Sequence, residues 1–186
     1  MELLRKTMTD PKNHRHDNAD KKLLFAKEHC PNTTAFHRKQ WSFIEDAAIR
    51  KNIAYQMQYL EFLIYLYNDY QIYLMLESLL CKDVIVTISG VVEAALLDLV
   101  QSARKKAGMP MESRTDFIML LGQAYHEHDL LTGDLWHFFH NLRKMRNKVH
   151  LTAAEFKESA GAGYTIGQAN ECIGRLEEFR IAVSRK

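Results

Sequence analysis

Between Pro31 and Gly90 the chain contains neither glycine nor proline. Those are the two residues that most readily interrupt a helix. Across this stretch Trp41, Ile44, Ala48, Ile49, Ile53, Met57, Leu60, Ile64 and Tyr67 recur at three- and four-residue steps. That is the spacing of one face of an α-helix, and it excludes the two-residue alternation of a half-buried strand. The pattern predicts one long helix from about Phe36 to about Leu80, with Asn68-Asp69 as a candidate break.

A second helix is expected over Asp83 to Lys106. Val84, Val86, Ile88, Val91, Val92, Ala95, Leu96 and Leu99 make it apolar over a broad face, which suits the centre of a bundle. Gly90 within it is a candidate for close helix approach. Gly108 and Pro110 end it. Thr115 is positioned to cap a third helix over Asp116 to Glu127, with Phe117, Leu120, Leu121 and Ala124 as its buried stripe. Thr152-Ala153-Ala154-Glu155 and Thr165-Ile166-Gly167-Gln168 both have the form of a capping box. The first predicts a short helix to about Ser159 and the second opens the last helix. The expected fold is all-α, a bundle of four to five main helices. Residues 1–35, polar and carrying both Pro11 and Pro31, read as an arm ahead of a single domain over 36–186. One short helix is expected in the arm around Lys21 to Glu28.

The chemistry concentrates in DLWHFFHNLRKMRNKVH, which opens at Asp134. On a helix, Arg143, Arg146, Asn147 and His150 fall within roughly 100° of arc. Leu135, Phe138, Leu142, Met145 and Val149 fill the neighbouring arc and predict the buried side. Two guanidiniums can grip a phosphate through planar paired hydrogen bonds, and an imidazole can move a proton near neutral pH. Basic residues in a last helical turn also complement the helix dipole, which needs no function at all.

Net charge is only +2 with the nine histidines neutral. Any nucleic-acid contact must therefore rest on a local patch such as Arg143 to Lys148. Six of the eight tyrosines lie between Tyr55 and Tyr73. They could stack bases, but core or oligomer packing is the preferred reading. Cys30, Cys81 and Cys172 are three, far apart, and form neither a disulfide framework nor a metal pair, so a reduced, cytoplasmic setting is expected. His14-x-His16 lacks further ligands, and His126-Glu127-His128 lacks the HExxH spacing. No metal and no cofactor is expected. The run Leu60 to Leu76 is interrupted by Asn68, Asp69 and Gln71, and no membrane span is expected.

The stretch FIMLLGQAYHEHDLLTGDLWHFFHNLRKMRNKVHL resembles the core of HEPN domains (higher eukaryotes and prokaryotes nucleotide-binding). The resemblance covers about Asp83 to Lys186. The family's mark is an arginine, often followed by a polar residue, and then a histidine after four to six intervening residues. Arg146-Asn147 matches the polar pair and His150 the histidine. Only three residues separate Arg146 from His150, one fewer than usual, whereas six separate Arg143 from His150. The resemblance implies a metal-independent endoribonuclease of toxin or defence type, working at a composite cleft between two copies in a homodimer. His150 would transfer a proton, Arg143 or Arg146 would stabilise phosphate charge, and Asn147 would orient the histidine or the phosphate. Lys144 and Lys148 would contact RNA, and an antitoxin protein is a candidate partner. Other members of the family are non-catalytic and bind RNA, nucleotides or a protein. That leaves a binding module as the alternative.

Overall fold

The computed structural model describes residues 30–110, 115–147 and 163–185. All regular structure among them is helical. The expected arm helix, the expected helix at 152–159, and Lys148, Val149 and His150 lie outside the described residues.

The first helix, α1 (Thr34–Gln40), starts where the Thr33 hydroxyl accepts the Phe36 N–H. The chain then turns sharply, and α2 (Ala47–Asp69) begins. The single helix expected from Phe36 is thus broken at Trp41–Asp46. Asp98 holds this corner. It is 4% exposed, and its two carboxylate oxygens accept the N–H groups of Glu45 (2.8 Å) and Asp46 (2.7 Å). A buried carboxylate must be met by hydrogen bonds, and here it satisfies two backbone donors at a helix start. Asp46 in turn caps α2 through Ala48 and Ile49. Trp41 and Ile44, both fully buried, fill the inside of the corner.

The candidate break at Asn68-Asp69 is where α2 ends. The next helix, α3 (Leu74–Lys106), then runs without interruption through the expected boundary at Leu80 to Asp83. The reason is the core stripe, which continues across that point. Cys81, Val84, Ile85, Ile88, Val91, Val92, Ala95, Leu96 and Val100 are all buried at helical spacing. At 1.5 Å per residue α3 is roughly 50 Å long. Every other helix except α1 packs on it, so its central place is as expected. Gly108 (φ 69°) ends it in the left-handed conformation that glycine adopts without strain. Its N–H donates to the Lys105 carbonyl and that of Met109 to Arg104, the paired bonds of a Schellman end.

The third expected helix appears as α4 (Phe117–Gly122), followed by a wider π turn over Gln123–Glu127. Its cap position is Asp116 rather than Thr115. The wider turn keeps Gln123 and Ala124 buried and lays Tyr125 against Trp136. Helix α5 (Gly133–Asn147) carries the Arg/Asn segment, and α6 (Ile166–Val183) closes the bundle. The capping box of Thr165 and Gln168 is formed in both directions, as its sequence predicts. Gly163, just before it, approaches Ser78 so closely that a Cβ there would lie 3.0 Å from the Ser78 Cβ and nearer still to its hydroxyl.

Tyr55, Tyr59, Tyr70 and Tyr73 are 42–59% exposed, so of the two packing roles expected for this run these four rings do not fill the core one. The core of α2 is instead Ile53, Ala54, Leu60 and Leu63. No helix among the described residues is long and apolar enough to cross a membrane.

Candidate functional site

Helix α5 is placed by its buried stripe. Leu135, Phe139 and Leu142 are at most 1% exposed, and Phe139 meets Phe179 of α6 edge-on at 5.4 Å. Phe138 and Met145, expected inside, are only half-buried. The buried face is thus centred roughly 50° further round than the sequence pattern placed it, at 100° per residue. This rotation separates the candidate residues.

Arg146 lies one turn beyond Leu142 on the same arc of the helix, with its side chain 38% exposed. Its Nη1 donates to Oε2 of Glu93 on α3 in a close ion pair. Its side chain also lines a cleft of about 340 Å³ between α2 and α3. Arg143 lies roughly 60° away on the helix wheel, with Lys144 and Asn147 exposed on the same outer side. Arg143 is half-buried, and its Nε is shut off from solvent without a hydrogen-bond partner among the described residues. The two guanidiniums therefore do not converge. One is spent on a carboxylate of α3 and the other is not. The end of α5 is fixed by Tyr164, whose hydroxyl donates to the Met145 carbonyl at 3.0 Å. Burial raises the pKa of that hydroxyl, which keeps it a donor.

The structure adds a residue that the sequence reading passed over. His140 sits one turn before Arg143 and Lys144 on the same side. Desolvation, then Lys144, Arg143 and His137, push its pKa below the usual imidazole value. Desolvation first, and then the neighbouring cations, thus favour the neutral imidazole over the imidazolium. Its ring stacks on Trp136 at 5.6 Å and 25°, and Trp136 stacks on Tyr125 at 5.4 Å. The signal was available: His140 stands three residues before Arg143 and four before Lys144, the spacing of helical neighbours.

A titration checks this. The His140 ring signals in NMR should show a midpoint below the ordinary histidine value, and Lys144→Gln should move it upward. An unchanged midpoint in the variant would dissociate Lys144 from the shift. The sign for stability follows. The folded state binds this proton less readily than the unfolded chain, so His140 opposes folding as pH falls below about 6.5, and is neutral in effect above it.

The cysteines take no part. Cys81 and Cys172 are buried thiols, and burial followed by Glu171 pushes Cys172 up to about 12. Among the described residues no group of three His, Cys, Asp or Glu side chains is arranged to hold a metal ion.

Neither a protein-family model nor a curated protein nor a solved structure matches this chain.

Proposed function

We propose that the outer side of α5 is the RNA-contacting surface of a HEPN-like, metal-independent endoribonuclease, with Arg143 as the motif arginine. The observation that carries this reading is the unequal state of the two arginines. Arg146 is neutralised by Glu93, while Arg143 keeps an unpaired guanidinium among the described residues. Arg143 is also the arginine with the family's separation from His150. In this reading Arg143 binds the phosphate that gains charge as a ribose 2′-OH attacks it. His150 takes the 2′-OH proton as the 2′ oxygen bonds to phosphorus, the P–O5′ bond breaks, and the departing 5′ oxygen takes a proton from water, which leaves a 2′,3′-cyclic phosphate and a 5′-OH end. Asn147 orients the reacting groups. Lys144 and Lys148 hold the strand through charge, which makes binding weaken with salt. Two copies meeting across α5 supply the composite cleft that the resemblance implies. An antitoxin protein would act by covering that surface.

One observation favours the alternative, a binding module that holds RNA or a protein without cleaving. Pairing Arg146 with Glu93 removes one of the two cations that a catalytic site of this type would draw on. The deciding experiment incubates purified wild-type protein with diverse RNAs in EDTA and maps the ends. Cyclic-phosphate and 5′-OH ends are the expected result. Retention of RNA with every strand intact would leave the binding module.

A further inference from the structure

The cleft between α2 and α3 has walls of two kinds. Ile53, Val86, Val91 and Ala94 are the apolar part of its lining, Ile53 and Val91 being almost wholly buried. Asn52 and Gln56, exposed and one turn apart on α2, add two side-chain amides to the same space. Thr87 is 7% exposed, lines the cleft, and forms no side-chain hydrogen bond among the described residues. Arg146 closes the α5 side.

Gly90 explains how the space arises. It lies inside α3, where glycine is the poorest helix former after proline. A Cβ at this position would meet nothing within 4 Å. Gly90 is therefore not there for close helix approach, contrary to the sequence expectation. It lines the cleft, and its missing side chain leaves the cleft open.

A space of this size lies at the small end of ligand sites, which are mostly apolar with a few placed polar groups. Its apolar walls suit the faces of a flat ring. Neighbouring amides suit an edge that offers a donor beside an acceptor, the pattern by which Asn and Gln pair with adenine.

We propose that this cleft is a base-selecting subsite for an adenine nucleotide, with Asn52 and Gln56 reading the base edge and Thr87 at its floor. Arg146 belongs to both the cleft and α5, so the sugar and phosphate of a base seated here lie towards the end of α5. The wall formed by α2 stands outside the stretch that resembles HEPN domains. The proposal rests on the RNA reading only for its source of nucleotide. The same chemistry is offered by free adenosine 5′-monophosphate and by one adenosine of an RNA strand.

The experiment titrates the full chain with AMP, GMP, CMP and UMP, and with short oligoribonucleotides that contain or lack adenosine, following heat of binding and side-chain amide signals. The variants are Gly90→Leu, which fills the cleft, and the double variant Asn52→Ala/Gln56→Ala, which leaves its apolar walls in place. Adenine should be preferred, and each variant should weaken it at least about tenfold, the scale of one good base-edge pair. If Gly90→Leu does not fold, the exposed pair on α2 still carries the test. Preference for AMP alone identifies a free nucleotide as the ligand, and preference only within oligonucleotides identifies the strand. Absence of any adenine preference, or binding equal in wild type and both variants, overturns the subsite. RNA cleavage that depends on His150 but ignores both cleft variants would overturn the subsite and leave the ribonuclease reading standing. Adenine-selective binding without cleavage would do the reverse.

Discussion

Replacing His150 with alanine should lower RNA cleavage at least about 100-fold, the usual scale of one acid–base group. Helix content and thermal stability should be unchanged, because the sequence pattern leaves His150 out of the apolar stripe. Arg143→Ala should cost about as much, since a phosphate gaining charge would lose its paired hydrogen bonds. Arg146→Ala should behave differently. It leaves Glu93, whose side chain is 31% exposed, without its partner. Its main effect should therefore be on stability and on the α2–α3 cleft, with a loss of cleavage under about tenfold, the weight of a supporting contact. Cleavage by all active forms should persist in EDTA. If Arg146→Ala proves as damaging as His150→Ala while Arg143→Ala cleaves normally, the assignment of the motif arginine is wrong. If wild-type protein leaves RNA intact, and His150→Ala matches it in every binding assay, the catalytic reading fails altogether.

The fold class was legible because its determinants are local. Helical spacing, the Thr165/Gln168 capping box and the Gly108 stop each act within a few residues, and each appears where the sequence puts it. The misread features depend on distant partners. The corner at Trp41–Asp46 is held by Asp98, 52 residues on from Asp46. Within FIEDAAI the one start signal is Asp46, and a lone aspartate of the type favoured at helix starts also occurs inside helices. The tyrosine run suggested a core because aromatic residues usually fill one. Here the interior of α2 is taken by smaller aliphatic residues, and four of the rings are left outside. Gly90 could be read from sequence only as a packing residue, because the open space beside it is bounded by residues of α2 and α5 as well as by its own helix.

The site was half legible for the same reason. The spacing of Arg143, Arg146 and Asn147 places them on one broad arc. It does not say where the edge of the buried face cuts that arc. Glu93 decides this for Arg146 from another helix, and the cations around His140 belong to its own helix and could have been counted.

The rotation of α5 can be tested on two adjacent rings. Phe139→Ala should destabilise the fold by about 3–5 kcal/mol, the range for removing a fully buried phenyl ring. Phe139 is 0% exposed and is the contact by which α5 meets Phe179 of α6, so its loss opens a cavity between two helices. Phe138→Ala should cost about 1–2 kcal/mol, less than full burial implies. Its ring is half-buried, with the Arg175 guanidinium 5.7 Å from its centroid. Cation–π contacts at such sites contribute about 0.5–1 kcal/mol. Urea unfolding of both variants measures the difference directly. The sequence pattern alone predicts the opposite order, because it buries Phe138 and omits Phe139. If Phe138→Ala proves the more damaging, α5 is turned back by roughly 50°, to the face the sequence pattern gives. Arg146 would then leave its place beside Glu93. The distinction between the spent and the unspent arginine, on which the choice of Arg143 depends, would go with it.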